Sequence, residues 1–211
     1  MPTSEQLLFG LKEIANQWRL LAMIWHAYFG AIGIALLLGV RPPRRASGFL
    51  LALPLLSVSV VAWLSSNPFN GLAFGLLFLL VAYYSIKLPC ERPRMSPLII
   101  RIPGIILFAF GWIYPHFLDT PSFLPYLYSA PTGLIPCPTL SIVIGLFLIL
   151  GSLDSKALSF TLSAAGLFYG IVGVFKLGVT IDLVLLLGAI VILSTLNRIR
   201  STPASGRGCP L

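Results

Sequence analysis

The sequence predicts an all-α fold, a polytopic transmembrane helical bundle of about seven spans. Three observations carry that prediction. Of 211 residues, 57% are hydrophobic and only 9% charged, with a mean hydropathy of +0.96, whereas a soluble globular domain carries charge on about a quarter of its residues. Seven apolar stretches are close to or within the roughly 17–25 residues that cross the hydrocarbon core as a helix. Lys and Arg gather in alternate connections between those stretches, the pattern produced when basic residues are retained on the cytoplasmic side.

Residues 1–19 read as an interfacial amphipathic segment. Leu7, Leu8, Leu11, Ile14, Ala15 and Trp18 recur at helical spacing, and Thr3 with Gln6 three residues on is placed as a capping box. Acids among the first residues, with no basic run leading into an apolar core and a cleavage site, do not make a cleaved signal peptide. The segment is expected to lie along the outer interface. The transmembrane domain follows over residues 20–197. Its expected spans are 20–40, 49–65, 71–86, 98–114, 134–150, 157–175 and 179–196. The third is short, and Pro103 sits one turn inside the fourth, where it kinks a helix or marks a later start. A six-span arrangement therefore stays open. Residues 198–211, with Pro, Gly and Ser and no periodicity, are expected to form a disordered tail.

Orientation follows from charge. Arg41, Arg44 and Arg45, then Lys87, Arg92, Arg94 and Arg101, then Lys156, then Arg198, Arg200 and Arg207 all fall on one side of a seven-span chain. The other side receives Lys12, Arg19 and Lys176. The N-terminus is thus expected outside and the C-terminus in the cytoplasm. The net charge of +8 forms no basic face interleaved with aromatics and so does not indicate nucleic acid. The partner the composition implies is the lipid bilayer. Small residues at four-residue spacing, Gly71 with Gly75, Gly166 with Gly170, and Ala27 with Ala31 and Ala35, are the kind that let helix backbones approach closely. They would serve a compact bundle, a membrane-protein partner or a second copy of the chain.

The connection between the fourth and fifth spans, YPHFLDTPSFLPYLYSAPT, carries no basic residue and is rich in proline and aromatics, as suits a cap at headgroup level. It leads into TGLIPCPTLSIVIGLFLIL. Ile135 and Cys137 each precede a proline, which disfavours helical backbone, and Pro138 suits the first position of a helix. Cys137 is therefore expected as the N-cap of the fifth span. A thiol there sits beside unpaired N–H groups and the positive end of the helix dipole, which favour its thiolate. The alternative is a small apolar residue packed at a proline-rich helix start. The three cysteines, Cys90, Cys137 and Cys209, are odd in number, far apart and without a Cys-x-x-Cys, so no disulfide framework is expected.

His26, His116, Asp119 and Asp182 share the expected outer side with Cys137. Ionisable groups within a membrane are costly and mark function unless they pair. Cys137 with His26 and His116 would make a metal site suited to Zn or Cu, though a single cysteine and no His-rich loop weigh against it. Asp119 and Asp182 are further candidates for a polar pocket, and Lys176 is placed to neutralise Asp182. Nothing resembles a nucleophile with its base or a pair of carboxylates, so no enzyme and no organic cofactor are expected.

PCPTLSIVIGLFLI, the preceding Tyr114-Pro115, PFNGLAFGLLFLL and LGVTIDLVLLLGAIV together resemble a family of uncharacterised multi-pass bacterial membrane proteins. In that family a Pro-Cys-Pro-Thr element opens a span and a Gly-Val-x-x-Asp-Leu element lies near the C-terminal end. The first span departs from it, since IWHAYFGAI lacks the family's Asn- and Pro-containing segment. The resemblance implies a bacterial inner-membrane location and no assigned activity. Two functions fit the whole: a small transporter or permease with an outward-facing polar pocket, or a noncatalytic scaffold or accessory subunit packed against another membrane protein.

Overall fold

The computed structural model describes residues 3–196, and every regular element among them is helical. The expected tail at 198–211, with Arg198, Arg200, Arg207 and Cys209, lies outside the described residues. Helix α1, Ser4–Gln17, is opened by Thr3 in the expected capping box, and the chain turns at Trp18 into α2, Arg19–Leu37. A hairpin follows: α3, Arg44–Leu64, then α4, Pro68–Ile86, capped by the Asn67 side chain on the Asn70 N–H. Helix α5, Leu98–Ile113, runs through Pro103 without ending, so the proline marks no later start. The connection holds one short turn of helix, α6, Tyr126–Ser129. Helix α7, Pro136–Ile149, is followed by a 3-10 turn, Gly151–Asp154, and α8, Lys156–Ile171. Helix α8 continues as a π-helical segment, Val172–Lys176, and a 3-10 turn, Thr180–Asp182, leads into α9, Leu183–Thr195.

Four of these helices are long and apolar enough to cross a membrane: Arg19–Leu37, Arg44–Leu64, Pro68–Ile86 and Lys156–Lys176. The other three of the seven stretches form shorter apolar helices, Leu98–Ile113, Pro136–Ile149 and Thr180–Thr195. Helix α7 is apolar around its whole circumference, and every residue of it but Cys137 is buried or nearly so. A helix hydrophobic all round belongs inside a bundle, and α7 is the central helix here, packed on α3, α5, α8 and α9.

The opening of α7 corrects the sequence reading. Ile135 is the N-cap, extended at φ −125°, ψ 158°, and Cys137 is helical in the first turn between Pro136 and Pro138. The first four N–H groups of any helix lack an intrahelical partner. Two prolines in the first turn delete two of those donors where a buried helix start offers no water to satisfy them. Thr139 steadies the turn by donating its hydroxyl to the Ile135 carbonyl while accepting the Gly133 N–H. The packing that encloses this start outweighs the preference of a residue before proline for extended backbone.

The small-residue pairs divide. Gly166 lies against Ile144 and Ala189, and Gly170 against the Leu186 backbone, while Gly75 faces Ser59 and Gly71 faces Trp63. These are packing positions. Ala27 and Ala31 are exposed and Ala35 is half-buried, and Ala31 and Ala35 line a cleft that α2 shares with α3 and α7. A further close approach is one that sequence spacing did not single out: Gly104 and Gly111 of α5 meet Gly145 and Ile142 of α7 almost backbone to backbone.

The two ends of the bundle differ as the charge pattern anticipates. At one end Arg44 pairs with Asp154 at 2.5 Å, and its N–H donates to the Glu91 carbonyl. The connections bearing Arg41, Lys87, Arg92 and Arg94 share that end. At the other, α1 is tied to the 114–135 connection by Lys12 with Asp119 at 2.6 Å and by Asn16 donating to the Phe117 carbonyl. The Ser4 hydroxyl, donating to the Lys176 carbonyl, ties α1 to the turn before α9. Leu11, Ile14 and Ala15 of α1 are buried with Tyr114, Phe117, Leu118, Leu134 and Ile135.

Candidate functional site

Beneath α1, at the end without the arginine clusters, lies a cavity of about 320 Å³. Its roof is Leu7 and Leu11 of α1. Phe69 and Asn70 of α4, Phe168 and Tyr169 of α8 and Val172 of the π segment form its sides, and Cys137 and Asp182 line its inner surface. Each wall has a local cause. Alpha-helical bonding gives way to π bonding at Val172, a widening that is frequent where a helix serves a site. The chain then reverses at Gly178, whose φ of +72° lies in the left-handed region that favours glycine. Val179 donates to the Gly173 carbonyl at 2.9 Å, and that bond folds Asp182 back beneath the π segment.

Asp182 is 1% exposed. The Tyr114 hydroxyl donates to its Oδ1 at 2.7 Å, and the Cys137 thiol, half-buried and free, is within hydrogen-bonding reach of both groups. Its other oxygen abuts Gly173, where an added Cβ would overlap Oδ2. Tyr169 completes the polar set by donating to Asn70 Oδ1 at 3.0 Å. Lys176 does not neutralise the acid. It is exposed at the rim and forms no ion pair with Asp182 among the described residues, where the two ion pairs are Lys12 with Asp119 and Arg44 with Asp154. The carboxyl is therefore held by neutral donors in an apolar, aromatic surround.

Of the residues singled out from sequence, the fold brings Cys137 and Asp182 together and leaves the others elsewhere. His26 is buried between α2 and α5, its Nδ1 2.9 Å from the Ala22 carbonyl and its Nε2 2.9 Å from the Trp112 carbonyl, with the ring edge-on to Trp112. Both nitrogens lie against backbone carbonyls, and a bond from the ring N–H to either one fastens the ring in place and leaves it not presented to a ligand. His116 packs edge-on to Phe117 in the outer connection, where partial burial pushes its pKa below the ordinary imidazole value. Asp119 is an exposed partner of Lys12. Among the described residues no group of three His, Cys, Asp or Glu could hold a metal ion, so Cys137, His26 and His116 are not gathered into the Zn or Cu site that their types allowed. Cys90 is disulfide-bonded, against the expectation of unpaired thiols.

No family model, curated protein or solved structure matches the chain. Function is read from the cavity itself. Tyr114, Tyr169, Asn70 and Gly173 were not recognisable as site residues from sequence. Tyr114 read as one of several interfacial aromatics, and only the return of the chain at Asp182, 68 residues later, gives its hydroxyl a partner.

Gly173→Ala is expected to push the Asp182 carboxyl off Tyr114, because the added methyl would take the space of Oδ2. The change should lower stability by about 1–3 kcal/mol, the range for overpacking, as measured by thermal melting in detergent. Gly178 has open space around it but φ +72°, so Gly178→Asn, a residue that tolerates positive φ better than most, should cost no more than about 1 kcal/mol. Equal effects of the two would remove the special role given to Gly173.

Proposed function

We propose that this chain is a small transporter or permease with seven spans, its N-terminus outside the cytoplasmic membrane, whose outward-facing pocket under α1 receives the substrate. The observation that carries this reading is the 320 Å³ cavity with a buried, uncompensated carboxyl on its wall. Protein interiors leave few voids larger than a water molecule, and an acid inside a membrane protein marks a substrate or ion path unless it is paired. The three short apolar helices fit the same picture. Irregular backbone at membrane depth is tolerated where it lines a cavity, and the π segment and 3-10 turn before α9 do so. The arginine-rich end would then face the cytoplasm. The Pro-Cys-Pro-Thr and Gly-Val-x-x-Asp-Leu elements support a bacterial inner membrane as the setting.

A small, membrane-impermeant methanethiosulfonate added to intact cells should label Cys137, with Cys137→Ala as the blank. Leu11→Ala, which thins the roof, should speed labelling several-fold. Labelling confined to inside-out vesicles would overturn both the orientation and the outward-facing pocket.

One observation favours a second reading, the scaffold or accessory subunit. Helix α2 is mostly unburied along its apolar length, and its Ala27 and Ala31 are exposed, a face on which another membrane helix could pack closely.

A further inference from the structure

Resting on the pocket reading above, we propose that the ligand is a lipophilic organic amine, bound as its ammonium ion with the charge against Asp182 and its apolar body between the cavity walls. Burying a carboxylate is costly unless it is paired and hydrogen-bonded. Asp182 lines the cavity while only 1% exposed, and among the described residues no cation is paired with it. The groups that face it are Tyr114 from the end of α5, Cys137 from α7 and the Gly173 backbone, with Tyr169 across the cavity and Lys176 out at the rim. None of the inner ones carries positive charge. The missing counter-ion is therefore the natural contribution of the ligand.

The walls narrow the class further. Phe69, Phe117, Phe168 and Tyr169 line the cavity, and aromatic faces attract organic cations. Phe69 and Phe168 are also exposed on the outside of the bundle with ring centroids 6.1 Å apart, so one wall stands between the cavity and the surrounding lipid. A ligand that partitions into lipid could reach the site through it. A carboxylate or phosphate would bring a further buried negative charge with no cation to pair it, and a neutral apolar molecule would gain nothing from Asp182. With the cavity empty, a proton supplies the neutralisation that the ammonium supplies when it is full. The two exclude each other, and ligand affinity falls as pH falls through the titration of Asp182.

The test uses the full chain in phosphatidylcholine nanodiscs, with protein-free nanodiscs to subtract partitioning, and three probes of matched length: octylamine, octanol and octanoate. Calorimetry at pH 7.5 should give octylamine at least about a tenfold advantage over octanol, the scale of a hydrogen bond to a charged group, and no binding of octanoate. Asp182→Asn keeps an oxygen to accept the Tyr114 hydroxyl and should fold. In it the amine advantage should collapse while octanol is unaffected. Equal binding of amine and alcohol, or an advantage that survives in Asp182→Asn, would overturn the amine and leave the pocket standing. If no probe binds and the cavity-filling Val172→Trp leaves Cys137 labelling unchanged, the pocket reading falls and the amine with it.

Discussion

Gly145→Ala is expected to loosen the centre of the bundle, at a cost near the upper end of the roughly 1–3 kcal/mol typical of overpacking. A methyl at Gly145 would stand 2.5 Å from the Phe108 nitrogen and 2.6 Å from the Gly104 carbonyl oxygen. Both are backbone atoms, so no side chain can swing aside, and α5 as a whole must move away from α7. Gly111 meets the Pro138 carbonyl at 2.7 Å in the same seam, so a shift that accommodates one site disturbs the other. The helices packed around α7 would lose contact in turn. Gly10 in α1 is the control, because nothing lies within 4 Å of its added Cβ. Gly10→Ala should stabilise by a few tenths to about 1 kcal/mol through helix propensity. Thermal melting of both in detergent decides the matter. A Gly145→Ala protein that melts no lower than the parent would mean that the α5–α7 seam is not close-packed.

Arg44→Met should be comparably damaging, and for a reason at the opposite end of the bundle. Gly151, Ser152, Leu153 and Asp154 have φ of +66°, +52°, +48° and +49°, a full turn of left-handed backbone. Each non-glycine residue so held costs about 1–2 kcal/mol. The turn persists because its surroundings over-determine it: Ser152 and Leu153 are buried, Gly151 abuts the Arg94 carbonyl, and Asp154 is clasped by Arg44. Arg44 is 6% exposed, and breaking a buried pair costs about 3–5 kcal/mol. The cost here should be at the low end of that range or below, since the Asp154 side chain is 34% exposed and water can replace part of the pairing. Asp154→Gly in the Arg44→Met background should recover part of the loss by removing strain and the orphaned carboxylate together. Arg41→Met, at an exposed position, should be silent. Chemical denaturation of the three variants checks this, and an Arg44→Met protein as stable as Arg41→Met would show that the turn holds itself.

The features legible in the sequence were those that depend on neighbours along the chain. Apolar runs found α2, α3, α4, α5, α7, α8 and α9 to within a few residues, because a helix satisfies its backbone internally and its length follows from local composition. The capping box at Thr3 and the amphipathic face of α1 were legible for the same reason. Arg and Lys clusters sorted the connections to two ends, since each is adjacent to the helix it terminates. What the run lengths left open was the environment of each helix. The stretch containing Pro-Cys-Pro looks like a lipid-facing span, whereas α7 is the buried axis of the bundle, and an apolar residue reads alike whether lipid or protein covers it.

The site divides along the same line. Cys137 and Asp182 stood out from sequence because ionisable and thiol groups are rare in apolar runs, and so did His26, whose two ring nitrogens turned out to lie against backbone carbonyls. By itself the sequence determined an all-helical chain with one basic end and a few polar groups that demand partners. Only the tertiary structure decided which partners they have: that Asp182 meets Tyr114 and Cys137 and not Lys176, that three ligand-type residues stay apart, and that a cavity is left under α1. The reason is physical. Helix formation is settled by contacts within four residues, while hydrogen bonds across 68 positions and the voids between helices exist only once the packing of every helix has been fixed.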